Sequence, residues 1–172
     1  MALPRENTAR VAFDALYRQT VDDVYAYVVS LLRDRSASED VTAAVYERAY
    51  RRRSSYRPDR GSERAWLFGI ARNAALDELR RRSRTAALVV EPDDPDAAAA
   101  FDAAHEETEA ADRRATVRAA VARLEARDRE LIALKFHAGL TNVEIAGVLG
   151  ISEANAGTRI HRAVTKLREA CS

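Results

Sequence analysis

Cysteine and lysine are almost missing from this sequence. A single cysteine, Cys171, excludes an internal disulfide framework. Three scattered histidines add no zinc-ligand spacing, so the chain reads as metal-free and cytosolic. Lysine occurs only at Lys135 and Lys166, whereas arginine occurs 26 times. With abundant Ala, Val and Asp, that bias points to a GC-rich bacterial gene. No apolar run approaches the roughly 18–20 residues needed to span a bilayer, and the opening "MALPRENTAR" lacks the apolar core of a signal peptide. Strand patterns are nearly absent too; "ALVV" at 87–90 is the one stretch that could pair. There is no nucleophile–base pair, metal cluster or glycine-rich phosphate loop, so neither a catalytic residue nor a cofactor is expected.

What is present is patterned charge. The 172 residues leave room for one ordinary domain or two small ones. Their net charge of +1 conceals three blocks. Residues 1–84 hold 17 Lys/Arg against 12 Asp/Glu, and residues 113–172 hold 11 against 6. Between them, residues 85–112 hold nine acids and no Lys/Arg. Two basic modules joined by an acidic tether is an arrangement for nucleic acid more than for an enzyme. The tether combines two prolines, alanine runs and one charge sign, too little apolar surface to order its backbone alone.

Elsewhere helical periodicity dominates, and the expected fold class is all-α: two small helical domains joined by a flexible acidic linker. Phe13, Leu16, Tyr17, Val24, Tyr27, Val28, Leu31 and Leu32 form apolar stripes on one or two helices. Ser36 and Glu39 have the spacing of a capping box opening a helix over 37–52, with Val41, Val45 and Ala49 on one face. "RSSYRPDRGS" (53–62) reads as a loop, and a long helix follows to about Arg84. The second module is expected to hold helices near 113–125, 128–137, 142–149 and 153–170.

"GLTNVEIAGVLGISEANAGTRIHRAVTKLRE" (139–169) is the most informative stretch. Thr141 and Glu144 form a capping box, Gly150 suits the left-handed end of a helix, and Ser152 can cap the next one. In that next helix Ala156, Ile160, Ala163, Val164, Leu167 and Cys171 share one face. Asn155, Thr158, Arg162 and Thr165 lie opposite, flanked by Arg159, His161 and Lys166. A short helix, a tight turn and a helix with a cationic outer face suit major-groove insertion, where Arg and Asn read base edges. An ordinary helical hairpin with a solvated charged face is the bland alternative.

"SERAWLFGIARNAALDELRRRSR" (62–84) is an amphipathic helix ending in Arg80, Arg81, Arg82 and Arg84, suited to phosphate contacts. A solvated helix end that complements the macrodipole would look the same. The cation-rich loop before it could hold single-stranded bases, with Tyr56 available for stacking. Trp66 reads as core rather than as a stacking residue.

Taken in order, these runs closely resemble the sigma-70 family, specifically the extracytoplasmic-function (ECF, group IV) sigma factors. "FDALYRQTVDDVYAYVVSLLRD", "SEDVTAAVYERAYRRRSSY" and "RGSERAWLFGIARNAALDELRRR" are similar to region 2; "VRAAVARLEARDRELIALKFHAGLTNVEIAGVLGISEANAGTRIHRAVTKLRE" is similar to region 4. The resemblance implies a region-2-like domain over 1–84, a linker over 85–112 and a helix-turn-helix domain over 113–172. It implies a subunit that binds RNA polymerase core and directs promoter-specific initiation, without catalysis. The helix 37–52 would dock on the β′ clamp helices, with Glu39, Asp40, Val41, Glu47 and Arg48 as contacts. Tyr56, Arg57, Asp59, Ser62, Arg72, Asn73 and Arg80 would hold the opened −10 element. Ser152, Asn155, Thr158, Arg159, Arg162 and Lys166 would bind the −35 element, and the same domain would meet the β flap. An anti-sigma factor is a further implied partner; membrane insertion is not expected.

Two departures from the family pattern stand out. Ala43 and Ala44 replace a Gln-Glu pair usual in region 2, although Glu39, Asp40 and Glu47 remain nearby. Phosphorylation of the adjacent Thr42 would restore negative charge there. Gly157 stands where a basic residue is common, so promoter contacts cannot be copied across. The competing function is a stand-alone DNA-binding regulator using 113–172, with residues 1–84 sensing or dimerising.

Overall fold

A computed structural model of the protein describes residues 5–86 and 109–172. They form seven α-helices: α1 (Arg5–Leu32), α2 (Arg35–Arg51), α3 (Glu63–Ala86), α4 (Glu109–Arg123), α5 (Ala126–Ile132), α6 (Asn142–Leu149) and α7 (Glu153–Cys171). The "ALVV" stretch and most of the acidic tether lie outside the described residues. Both described ends of that tether are helical, since α3 continues to Ala86 and α4 begins at Glu109. Among the described residues no helix is long and apolar enough to cross a membrane.

Helices α1 to α3 pack around Val24, Tyr27, Val28, Val45, Leu67 and Phe68, all buried. Tyr27 and Phe68 meet edge-on, ring centroids 5.5 Å apart. Ala71, Ala74 and Ala75 keep one face of α3 shallow, which lets neighbouring backbone approach closely. The α1–α2 corner differs from the expected capping box. Arg33 reverses the chain at φ 51, and Asp34, in extended backbone, becomes the N-cap. Its carboxylate accepts from the Ala37 N–H at 2.9 Å. Ser36 is left exposed in the first turn, and Glu39 pairs with Arg35 instead.

The second module follows its caps. Thr141 and Glu144 form the reciprocal box, Gly150 ends α6 at φ 67, and the Ser152 hydroxyl accepts from the Asn155 N–H. Ala156, Ile160 and Ala163 are buried as expected, while Cys171 is exposed with the rest of 168–172, where the last turn projects past the packed surface. A π-helical turn over Ala133–His137 follows α5, and Gly139 then reverses the chain at φ 65.

The two modules are in contact. Leu131, Leu134, Ala138, Leu140 and Ile145 belong to the same buried apolar cluster as Val24, Tyr27, Phe68 and Ala71. Polar bonds frame this junction. Arg129 Nε donates to the Ser30 carbonyl at 2.8 Å, and Arg64 donates to Asp23 and to the carbonyls of His137 and Ala138.

Candidate nucleic-acid interfaces

Residues 53–62 are more ordered than a featureless loop. Two 3-10 turns, Arg53–Ser55 and Pro58–Arg60, carry them. The Tyr56 hydroxyl donates to the Gly61 carbonyl at 3.1 Å, and the Ser55 hydroxyl donates to the Arg52 carbonyl. Arg53 stacks over the Tyr50 ring at 4.1 Å. Tyr56 and Trp66 lie side by side with centroids 5.8 Å apart and ring planes tilted by 56°, both half-buried. They open onto a cleft of about 540 Å³ that Arg57, Arg60, Ser62 and Asn73 also line. Trp66 therefore serves a recess as well as the core. Sequence reasoning missed it and Arg60 as lining residues, although the Tyr56-to-Trp66 stretch already held both aromatics.

The remaining residues expected at this surface are dispersed. Asp59 is exposed in the second 3-10 turn. Arg80 is exposed and shares the Asp77 carboxylate with Arg48, at 3.3 and 3.4 Å. Arg72 is not a free cation: its Nε donates to Glu130 Oε1 at 2.7 Å, across the junction between modules. The arginine run is largely neutralised internally, with Arg81 and Arg82 both on Glu78, whose carboxyl those donors hold below its ordinary range. Arg57 and Arg60 carry no ion pair among the described residues.

On α7 the outward face is as the periodicity requires. Asn155, Thr158, Arg159 and Arg162 are exposed, and neither arginine has an ion-pair partner among the described residues. Thr158 spends its proton on the Ala154 carbonyl at 3.0 Å, leaving an acceptor outward. Ser152 accepts from the Asn155 N–H, so its hydroxyl is left to donate. Lys166 is tied to Asp128 at 2.5 Å and so points along the module rather than away from it. Gly157 is half-buried, and a Cβ there would lie 3.7 Å from Asn142 Nδ2. That position faces the scaffold, not the open side of the helix.

On α2, Glu39, Asp40, Glu47 and Arg48 are exposed with Ala43, while Ala44 is half-buried. Glu47 pairs with Arg51 at 2.6 Å. Val41 is a correction: it is buried against the core, because it lies on the same face as Val45 and Ala49. Thr42 lies inside the bundle as well. It is 7% exposed with its hydroxyl inside the bundle, so a kinase could not reach it in this fold.

Residues 16–85 match the family Sigma-70 region 2, and residues 114–167 match Sigma-70, region 4. The ECF RNA polymerase sigma factor SigK of Mycobacterium sp. (strain KMS) is 32% identical over 164 residues, covering 91% of this chain and 81% of that protein. The chain belongs to the ECF RNA polymerase sigma factors. The SigK of Mycobacterium bovis (strain BCG / Pasteur 1173P2) is 30% identical, covering 92% of this chain and 85% of that one. As a sigma factor the protein is a non-catalytic initiation subunit, giving RNA polymerase its promoter specificity. Two solved structures share its fold. One is the sigma factor RpoE of Bartonella quintana, solved with the anti-sigma factor NepR: TM-score 0.72, 21% identity, 92% of this chain and 96% of that one. The other is CnrH, solved with the cytosolic domain of CnrY: TM-score 0.64, 24% identity, 93% of this sigma factor and 87% of that chain.

Proposed function

We propose that this sigma factor divides promoter recognition between its two modules, within boundaries near 1–84, 85–112 and 113–172. The outward face of α7 reads the duplex −35 element: Arg159 and Arg162 carry the binding, Asn155 and Thr158 tune sequence preference, Ser152 contacts the backbone, and Lys166 joins it by exchanging Asp128 for a phosphate. The cleft beside the 3-10 turns holds the opened −10 strand. Tyr56 and Trp66 supply ring faces, Arg57, Asp59 and Ser62 supply polar contacts, Asn73 and, on leaving Glu130, Arg72 support upstream bases, and Arg80 reaches phosphate. A recess with two neighbouring aromatics, and with arginines that have no ion pair among the described residues, suits a base that has left the stack.

The exposed acidic and alanine face of α2, with Glu39, Asp40 and Glu47, docks on the clamp helices of β′, and the second module meets the β flap. The acidic tether runs through channels of the polymerase that otherwise accept nucleic acid. Docking on polymerase places the protein in the cytoplasm. An anti-sigma partner fits the two relatives of like fold, each solved with such an inhibitor or a partner's cytosolic domain.

The observation that carries this reading is two arginine sets without an ion pair among the described residues, Arg57/Arg60 beside an aromatic recess and Arg159/Arg162 on a helix-turn-helix. Run-off transcription with purified core polymerase on a randomised promoter library tests it. Start sites should share two sequence blocks, and alanine at Arg159 or Tyr56 should each erase one. Tight operator binding by the free chain as a dimer, with no transcription from core, would favour a stand-alone regulator.

A further inference from the structure

Arg60 lines the cleft with Tyr56 and Trp66, and the backbone on both sides of it is pinned. It ends the 3-10 turn Pro58–Arg60, where its N–H donates to the Arg57 carbonyl at 3.0 Å. Gly61 follows at φ 142 and ψ 177, a conformation open to little besides glycine. The Gly61 carbonyl in turn accepts from the Tyr56 hydroxyl at 3.1 Å. The Arg60 side chain is exposed and has no ion pair among the described residues. Hydrogen-bonding capacity in the cleft is weighted toward donors. Tyr56 spends its proton on Gly61, and Arg57 and Arg60 only donate. Asp59, next to Arg60 in sequence, is not among the residues that line it. Glu144, contributed by α6, has both oxygens engaged, Oε1 by Ser62 and Oε2 by Thr141.

We propose that Arg60 reads one base of the opened −10 strand and selects guanine or cytosine there, an inference that rests on the −10 assignment of the cleft. A guanidinium edge offers two parallel N–H donors and is matched by two adjacent acceptors. Guanine has them in O6 and N7, and unpaired cytosine has them in O2 and N3. Adenine sets its amino group beside N7 and N1, and thymine sets N3–H between its carbonyls, so neither takes both donors. Tyr56 and Trp66 hold any base by its ring face and add affinity without choice. Choice needs a donor pair held in place, which the pinned turn supplies. Opening a G·C pair also costs more than opening an A·T pair, so G or C at a melted position does not follow from ease of melting.

The test is run-off transcription on the randomised promoter library by holoenzyme carrying the wild type, Arg60→Gln or Arg60→Lys. An unchanged −35 block shows that each variant is folded and bound to core. In the wild type one −10 position should favour G or C on the order of tenfold. Glutamine pairs its amide with adenine N6 and N7, so Arg60→Gln should move that position to adenine. Arg60→Lys, a point charge without the fork, should keep the rest of the block and lose the choice. A second arm places 7-deazaguanine or 3-deazacytosine at that position in premelted templates, each analogue lacking one of the two acceptors. The analogue of the preferred base should bind wild-type holoenzyme roughly tenfold more weakly than its parent, and Arg60→Gln holoenzyme equally well. A wild-type block with no position restricted to G or C, or such a position unmoved in both variants, would overturn the inference. So would an analogue that binds the wild type as its parent does. Tyr56→Ala separates the two ideas: a −10 block that survives it sinks the −10 assignment itself. A block erased by Tyr56→Ala, with a G or C position indifferent to Arg60, sinks only the reader.

Discussion

The Arg82 guanidinium lies 2.9 Å from one oxygen of Asp34 while the other oxygen of that carboxylate caps α2. One carboxylate thus starts a helix and anchors the end of another, 48 residues away in sequence. Arg82 also reaches Glu78 at 2.9 Å and the Leu32 carbonyl at 3.4 Å. It works as a tie across the α1–α2 corner, where Arg33 sits in the left-handed region. Asp34→Asn should keep most of the cap and lose the charge, whereas Asp34→Ala should lose both and cost about 1 kcal/mol or more. Urea melts of the two variants check this, and equal midpoints would count against the tie.

Thr42 brings a hydroxyl into the bundle with no hydrogen-bond partner among the described residues. A valine of similar shape removes that desolvation cost. Thr42→Val should stabilise the protein by about 1 kcal/mol, visible as a higher melting temperature. A lower one would mean that the hydroxyl has a partner.

The α7 arginines should separate by role. If Arg162 makes a bidentate base contact, Arg162→Ala costs roughly 1–3 kcal/mol at the preferred −35 sequence and relaxes preference at one position. If it meets phosphate, the loss is even across sequences and the salt dependence of binding falls. Holoenzyme binding to a panel of −35 variants at two salt concentrations distinguishes these. No change in either Arg159→Ala or Arg162→Ala would remove α7 from recognition.

Ala43 is exposed and Ala44 half-buried on the face of α2 proposed to meet the polymerase. Ala44→Glu should tighten core binding by up to about 1 kcal/mol if it finds a basic partner, and the gain should shrink with salt. Unchanged affinity would show that Glu39, Asp40 and Glu47 already supply the charge needed.

Acid should loosen both the arginine cluster and the module junction. The Arg81 hydrogen bond, with Arg82, holds Glu78 below its ordinary 4.5. At Glu144 burial pushes upward, but hydrogen bonds from Ser62 and Thr141 and the Arg64 charge outweigh it. Both carboxyls are therefore more acidic folded than unfolded, and the unfolded chain takes up protons first as pH falls. Their stabilisation is complete above the unfolded value and is lost progressively below about pH 4.5, as pH falls through the folded values. Urea midpoints should be flat on this account down to about pH 5 and then decline. Glu78→Gln and Glu144→Gln should each flatten that decline.

What the sequence determined by itself is local. The Thr141–Glu144 box, the Ser152 cap and the Gly150 turn are relations among residues three or four apart, and the backbone realised each of them. The apolar repeat of α7 likewise fixed which side faces outward, because 100° per residue leaves little choice. At α2 two acceptors competed for one cap. Asp34 won through the left-handed turn at Arg33, a backbone choice that no side-chain pattern announces. Thr42 shares the inward spacing of Val45 and Ala49, and its hydroxyl is carried into the bundle with them. Only the tertiary structure decided that Arg72 meets Glu130 and Ser62 meets Glu144, pairs 58 and 82 residues apart. Periodicity places each of these on an accessible helix face and stops there. Which distant charge a side chain meets is set by how two apolar faces dock, and that docking energy comes from total buried area, a quantity with no local signature in the chain.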